Sequence, residues 1–89
     1  MTIINGNHKK YDFTFAKRLE QLMVERDLYP RDIEKLTGVR RQRIYEYIQG
    51  VAQPSAFMLK RIATGLHVSS DWLLGLTNSP LIRTENLIE

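Results

Sequence analysis

A chain of 89 residues, 43% of them hydrophobic and 26% charged, can hold one small core and no second domain, because a domain of this size buries only about 60 to 65% of its unfolded surface. The absence of cysteine excludes disulfides and thiolate metal sites, and no apolar run approaches the roughly 20 residues needed to cross a bilayer. The net charge of +3 is a mild bias toward anionic partners, so its distribution along the chain carries more information than its sum.

Residues 1–12 read as an arm outside the folded unit. Asn5-Gly6-Asn7 is a turn or disorder signal, followed by His8-Lys9-Lys10. A frayed terminus is the simpler expectation, and a basic arm lying along a nucleic-acid backbone is the alternative. The start of the chain lacks the charged-then-apolar build of a secretion signal, so the expected location is the cytoplasm. Asp12 or Thr14 can cap a first helix running to about Arg26, in which Phe15, Leu19, Leu22 and Met23 recur at helical spacing and form a core stripe.

Pro30 suits the first position of a second helix, where its missing N–H has no partner to lose; Ile33 and Leu36 are expected to give this helix its buried side. At Thr37-Gly38-Val39 the glycine tolerates a left-handed conformation and lets the chain reverse into a third helix, Arg41 to Gln49. At about 100° per residue, Ile44, Tyr47 and Ile48 share one arc of this helix, while Arg41, Gln42, Tyr45, Glu46 and Gln49 share the opposite one. Arg43 sits at the edge and can reach outward. Two short helices joined by a tight turn make a helix-turn-helix. Charge concentrates around it: between Arg31 and Arg61 seven Arg and Lys face three Asp and Glu, a surplus suited to phosphates.

Ser55 after Pro54 is a good N-cap for a fourth helix, whose Leu59, Ile62, Ala63 and Leu66 keep the same period. Gly65 within it costs up to about 1 kcal/mol relative to alanine and marks the close approach of another helix. Ser69 caps a short fifth helix, Asp71 complements its dipole, Gly75 ends it, and Trp72 closes the base of the bundle. In residues 76–89, Leu81, Ile82, Leu87 and Ile88 gain little in water and are expected to pack on the bundle or on a second copy. His8 and His67 have no ligand spacing around them and read as ordinary surface histidines, so neither a metal nor a cofactor is expected.

The landmarks Gly38-Val39, Ile44, Gly50, Pro54-Ser55, Leu59, Ile62-Ala63, Leu66, Val68-Ser69 and Asp71-Trp72-Leu73-Leu74-Gly75, in this order and spacing, resemble the helix-turn-helix domain of the Cro and CI repressor type, the XRE family. The resemblance covers residues 13–75. It implies an all-α fold, a compact five-helix lambda-repressor-like bundle whose second and third helices form the DNA-reading unit. Departures from the pattern include Arg40, which stands where the family often has a capping Ser or Thr, Pro30, where it often has a residue that donates to the backbone, Phe57, where it is commonly polar, and Gly65 within the fourth helix.

The function implied is that of a sequence-specific transcription regulator, a repressor binding a pseudo-palindromic operator as a dimer. In that reading Arg41 makes a bidentate contact to guanine and Gln42 contacts adenine or guanine. Tyr45 touches a thymine methyl or a phosphate, and Glu46 either accepts from a cytosine amino group or pairs with Arg43 or Gln42. Arg31, Arg40, Arg43, Gln49 and Gln53 are assigned to phosphates. Phe57, the His67-Val68 loop, Leu81 and Ile82 are the expected dimer contact. The alternative is an antitoxin or accessory module whose DNA binding is subordinate to a protein partner. No enzyme is expected, since no phosphate-cradling glycine loop and no nucleophile–base spacing occurs; Asp32, Glu34 and Glu46 read as surface charges.

Overall fold

The computed structural model describes residues 12–82, which form five helices: α1 (Thr14–Arg26), α2 (Pro30–Thr37), α3 (Arg41–Gln49), α4 (Ala56–Leu66) and α5 (Ser70–Leu74). The arm before residue 12 and the tail residues Leu87 and Ile88 lie outside the described residues. α1 packs on α3 and α5, α2 packs on α3 and α4, and α4 packs on α5. Each helix thereby covers its apolar stripe with a neighbour.

Sequence signals account for most helix ends. The N-cap of α1 is Phe13, which offers no side-chain cap, in place of the expected Asp12 or Thr14; Asp12, one residue earlier, still accepts the Thr14 N–H through Oδ1 at 2.9 Å. Pro30 opens α2, with the Asp32 carboxylate accepting the Tyr29 N–H at 2.8 Å. Ser55 Oγ accepts from Met58 N at 3.1 Å and Ser69 Oγ from Trp72 N at 3.2 Å. As expected from its N-cap residue, Arg40, α3 begins without a side-chain cap.

Phe15, Leu19, Leu22, Ile33, Val39, Ile44, Tyr47, Ile62, Leu66, Trp72 and Leu73 make the core. The Phe15 and Tyr47 rings meet edge to face at 5.7 Å, the geometry favoured by their quadrupoles. Two arginines that the periodicity left unassigned fasten the ends of this core. Arg18 lies over the Trp72 ring and donates to the carbonyls of Trp72 and Thr77, and Arg26 donates to the Leu66 carbonyl at the end of α4. Beyond α5 the chain folds back, and the Ser69 N–H donates to the Pro80 carbonyl at 2.9 Å.

Two expectations require correction. Leu36 is 51% exposed. The inward arc of α2 runs through Ile33, Thr37 and Pro30, and at about 100° per residue Leu36 lies on the other flank of Ile33. Val68 is 2% exposed and belongs to the core rather than to a surface loop. His67 takes the left-handed C-cap of α4 at φ 58°, and the chain then turns inward, with Val68 N donating to Ala63 O at 3.0 Å.

Gly65 sits where α4 crosses the end of α2. A Cβ there would stand 2.5 Å from the Leu36 carbonyl oxygen and 2.9 Å from Thr37 Cα, so only a glycine lets the backbones of α2 and α4 come this close.

Candidate nucleic-acid interface

The turn between α2 and α3 sets the angle at which α3 is presented. Gly38 caps α2 with φ 78°, a conformation that L side chains rarely adopt. Thr37, buried beside it, donates through Oγ1 to Ile33 O at 2.7 Å and accepts from Val39 N at 3.1 Å. Val39, 1% exposed, anchors the far side of the turn. Arg61 of α4 lies over Gly38, its Nη2 only 2.6 Å from the place a Cβ would occupy, and the same guanidinium stacks on the Phe57 ring at 5.5 Å. The turn is therefore held from inside by Thr37 and Val39, and Arg61 covers its outer side.

α3 separates cleanly into two faces. Ile44 and Tyr47 are buried and Ile48 half-buried, whereas Arg41, Gln42, Arg43, Tyr45 and Gln49 are exposed. Burial pushes the Tyr47 phenol above its ordinary range, as expected where charging the ring oxygen would cost solvation. Glu46 is partly covered because its carboxylate accepts from Arg43 Nη1 at 2.8 Å. This geometry pairs Glu46 with Arg43. Arg40, Gln42, Arg43 and Glu46 line an open cleft of about 270 Å³ on the solvent side.

The assigned phosphate residues differ in their surroundings. Arg40 and Gln49 are exposed; Arg31 lies over the Tyr29 ring at 4.9 Å; Gln53 donates its amide to Asp12 O at 3.0 Å and so ties the loop before α4 to the entry of α1. Elsewhere, Phe57 is 62% and Leu81 75% exposed. His67 is exposed, and Ile82 is half-buried in a cleft of about 370 Å³ bordered by α4 and α5.

One contact on this side of the molecule was missed. Glu34, read from the sequence as an ordinary surface charge, accepts from Arg41 Nε at 2.6 Å across the turn. Arg41 holds the Glu34 carboxyl below its ordinary range by that hydrogen bond. Arg41 and Glu34 are seven positions apart on different helices, so no within-helix spacing rule signals the pair.

Among the described residues no group of three His, Cys, Asp or Glu side chains is placed to hold a metal ion, and no helix is long and apolar enough to cross a membrane. A family model described as helix-turn-helix matches residues 19–73, which includes all of α2, α3 and α4. Comparison with curated proteins and with solved structures returns no match.

Proposed function

Because this chain belongs to the helix-turn-helix family of DNA-binding transcription regulators, we propose that it represses transcription by binding a pseudo-palindromic operator as a dimer, with α3 in the major groove of each half-site. The observation that carries this reading is the division of α3 into a buried face of Ile44 and Tyr47 and an exposed face that includes Arg41, Gln42 and Tyr45. A helix anchored on one side and open on the other fits a groove about 12 Å wide.

Arg41 and Gln42, at the start of α3, are assigned to base edges, with Tyr45 and Glu46 one turn further along. Arg41 engages guanine O6 and N7 together. Arg31, Arg40, Arg43, Gln49 and Gln53 contact phosphates and fix the register. Phe57, His67, Leu81 and Ile82 supply the dimer contact, placing the two reading helices about 34 Å apart on one face of the duplex.

The test is an unbiased selection of duplex sequences with the purified protein at two salt concentrations. Arg41→Ala relaxes preference at one base pair and costs about 1 to 3 kcal/mol, whereas Arg40→Ala weakens all sequences alike and lowers the salt slope by about one. Binding untouched by both substitutions refutes the assignment of this face. The exposed apolar side chains Leu36, Phe57 and Leu81 favour one second reading, an antitoxin or accessory module. In that case the purified chain fails to bind its own upstream DNA until a co-purified protein is restored.

A further inference from the structure

Arg41 opens α3 and Glu34 lies in α2, so the ion pair between them bridges the two helices that the Gly38 turn joins. The contact uses one particular nitrogen: Nε donates to Glu34 Oε1 at 2.6 Å. A guanidinium carries five N–H donors on three nitrogens. With Nε engaged, the two terminal nitrogens remain as a fork, and an end-on fork of this kind matches the paired acceptors O6 and N7 of guanine. The side chains are 57% and 34% exposed, so the pair lies at the surface rather than against the core.

A carboxylate on this side of the molecule has a cost, because it repels every phosphate that approaches. Glu34 therefore lowers the affinity for any duplex while restricting where one arginine can point. An arginine without such a partner samples many rotamers and falls readily onto the nearest phosphate, a contact that reads no sequence. One held in place has lost that freedom before DNA arrives.

From this geometry we propose that Glu34 is a specificity-determining positioning residue: it takes Arg41 Nε, aims the terminal nitrogens at a guanine edge, and selects against duplexes lacking that guanine. The inference rests on Arg41 reading a base and adds the residue that makes the reading discriminating. Glu34 itself touches no base. Its effect passes through Arg41, so removing Arg41 abolishes it.

The experiment is a binding series with the wild-type protein, Glu34→Ala, Glu34→Gln, Arg41→Ala and the double substitution Glu34→Ala with Arg41→Ala. Each is titrated with three duplexes: the selected operator, the same operator with the guanine pair under Arg41 replaced, and an unrelated sequence. Glu34→Ala is expected to reduce discrimination between the first two duplexes by up to about fivefold, the upper end for an exposed ion pair, while binding the unrelated duplex more tightly. Glu34→Gln keeps an acceptor for Nε without the charge. It retains part of the discrimination and shares the gain on unrelated DNA, and its near-identical size makes it the deciding variant should the alanine form fail to fold. In the Arg41→Ala background, loss of Glu34 leaves discrimination unchanged. Unchanged discrimination in Glu34→Ala and Glu34→Gln, or an equal loss with and without Arg41, overturns the inference. If Arg41→Ala relaxes one base pair while the Glu34 variants do not, the base-reading assignment survives and only Glu34 is misassigned. If Arg41→Ala alters no base preference, both fall together.

Discussion

Replacing Gly65 with alanine separates a packing constraint from a helix propensity. In an exposed helix interior the substitution stabilises by about 1 kcal/mol, because alanine loses less backbone freedom on folding. Here the added Cβ would stand 2.5 Å from the Leu36 carbonyl oxygen, 2.8 Å from Thr37 Cγ2 and 2.9 Å from Thr37 Cα. Relief to even 3.0 Å requires about 0.5 Å of separation, and two of the three obstructing atoms are backbone, which cannot swing aside as a flexible side chain can. Overpacking of this kind costs about 1 to 3 kcal/mol, with the upper end applying where backbone must move. The net expectation is a destabilisation of about 2 kcal/mol, or roughly 10 °C in melting temperature for a domain of this size.

The displaced segment is the last turn of α2, which leads directly into the Gly38 turn and α3. Gly65→Ala is therefore also expected to weaken operator binding at temperatures where the variant remains folded. Urea unfolding followed by circular dichroism measures the first effect, and binding titrations well below the transition measure the second. A Gly65→Ala protein as stable as wild type or more so would refute the account, because propensity would then outweigh the contact between α2 and α4.

Arg18→Ala should cost about 1.5 to 3 kcal/mol by removing the cation that serves the Trp72 and Thr77 carbonyls. Arg18→Lys should restore only part of it, since one ammonium cannot reproduce the planar stack over Trp72; calorimetric melts of the three proteins check both. Ser55→Ala removes the N-cap of α4 and should lower stability by about 1 kcal/mol, with Ser55→Thr recovering most of it in the same denaturant series. At alkaline pH the sign follows from Tyr47, whose phenol is raised by burial from an ordinary value of 10.0. Its contribution is complete below that value and is lost as pH rises through the folded pKa. Unfolding followed by tyrosinate absorbance should therefore bring Tyr47 into titration together with loss of structure, and Tyr47→Phe should shift that alkaline transition upward.

Most of the fold was legible as local pattern. Phe15, Leu19 and Leu22 share one face because three- and four-residue steps return to the same side of a helix, and Pro30, Ser55 and Ser69 mark helix starts because the first N–H groups of a helix lack internal partners. The exposed face of α3 followed from the same periodicity. Leu36 was misread because an eight-residue helix offers too few turns for periodicity alone to say which flank of Ile33 faces inward. Val68 was misread because a left-handed residue at position 67 reverses the chain, and a histidine adopts that conformation too seldom for its presence alone to announce it.

Spacing on its own set out five helical stretches and a tight Gly38 turn before an arginine-bearing helix, since these follow from steric freedom, capping and the helical repeat, all of which act between near neighbours. Tertiary structure alone decided what these long charged side chains meet on other elements: Glu34 with Arg41, Arg61 over Gly38, Arg18 over Trp72. Such contacts join different helices, and a long side chain on a helix surface has many reachable partners until the packing of α1 through α5 brings one of them within hydrogen-bonding distance.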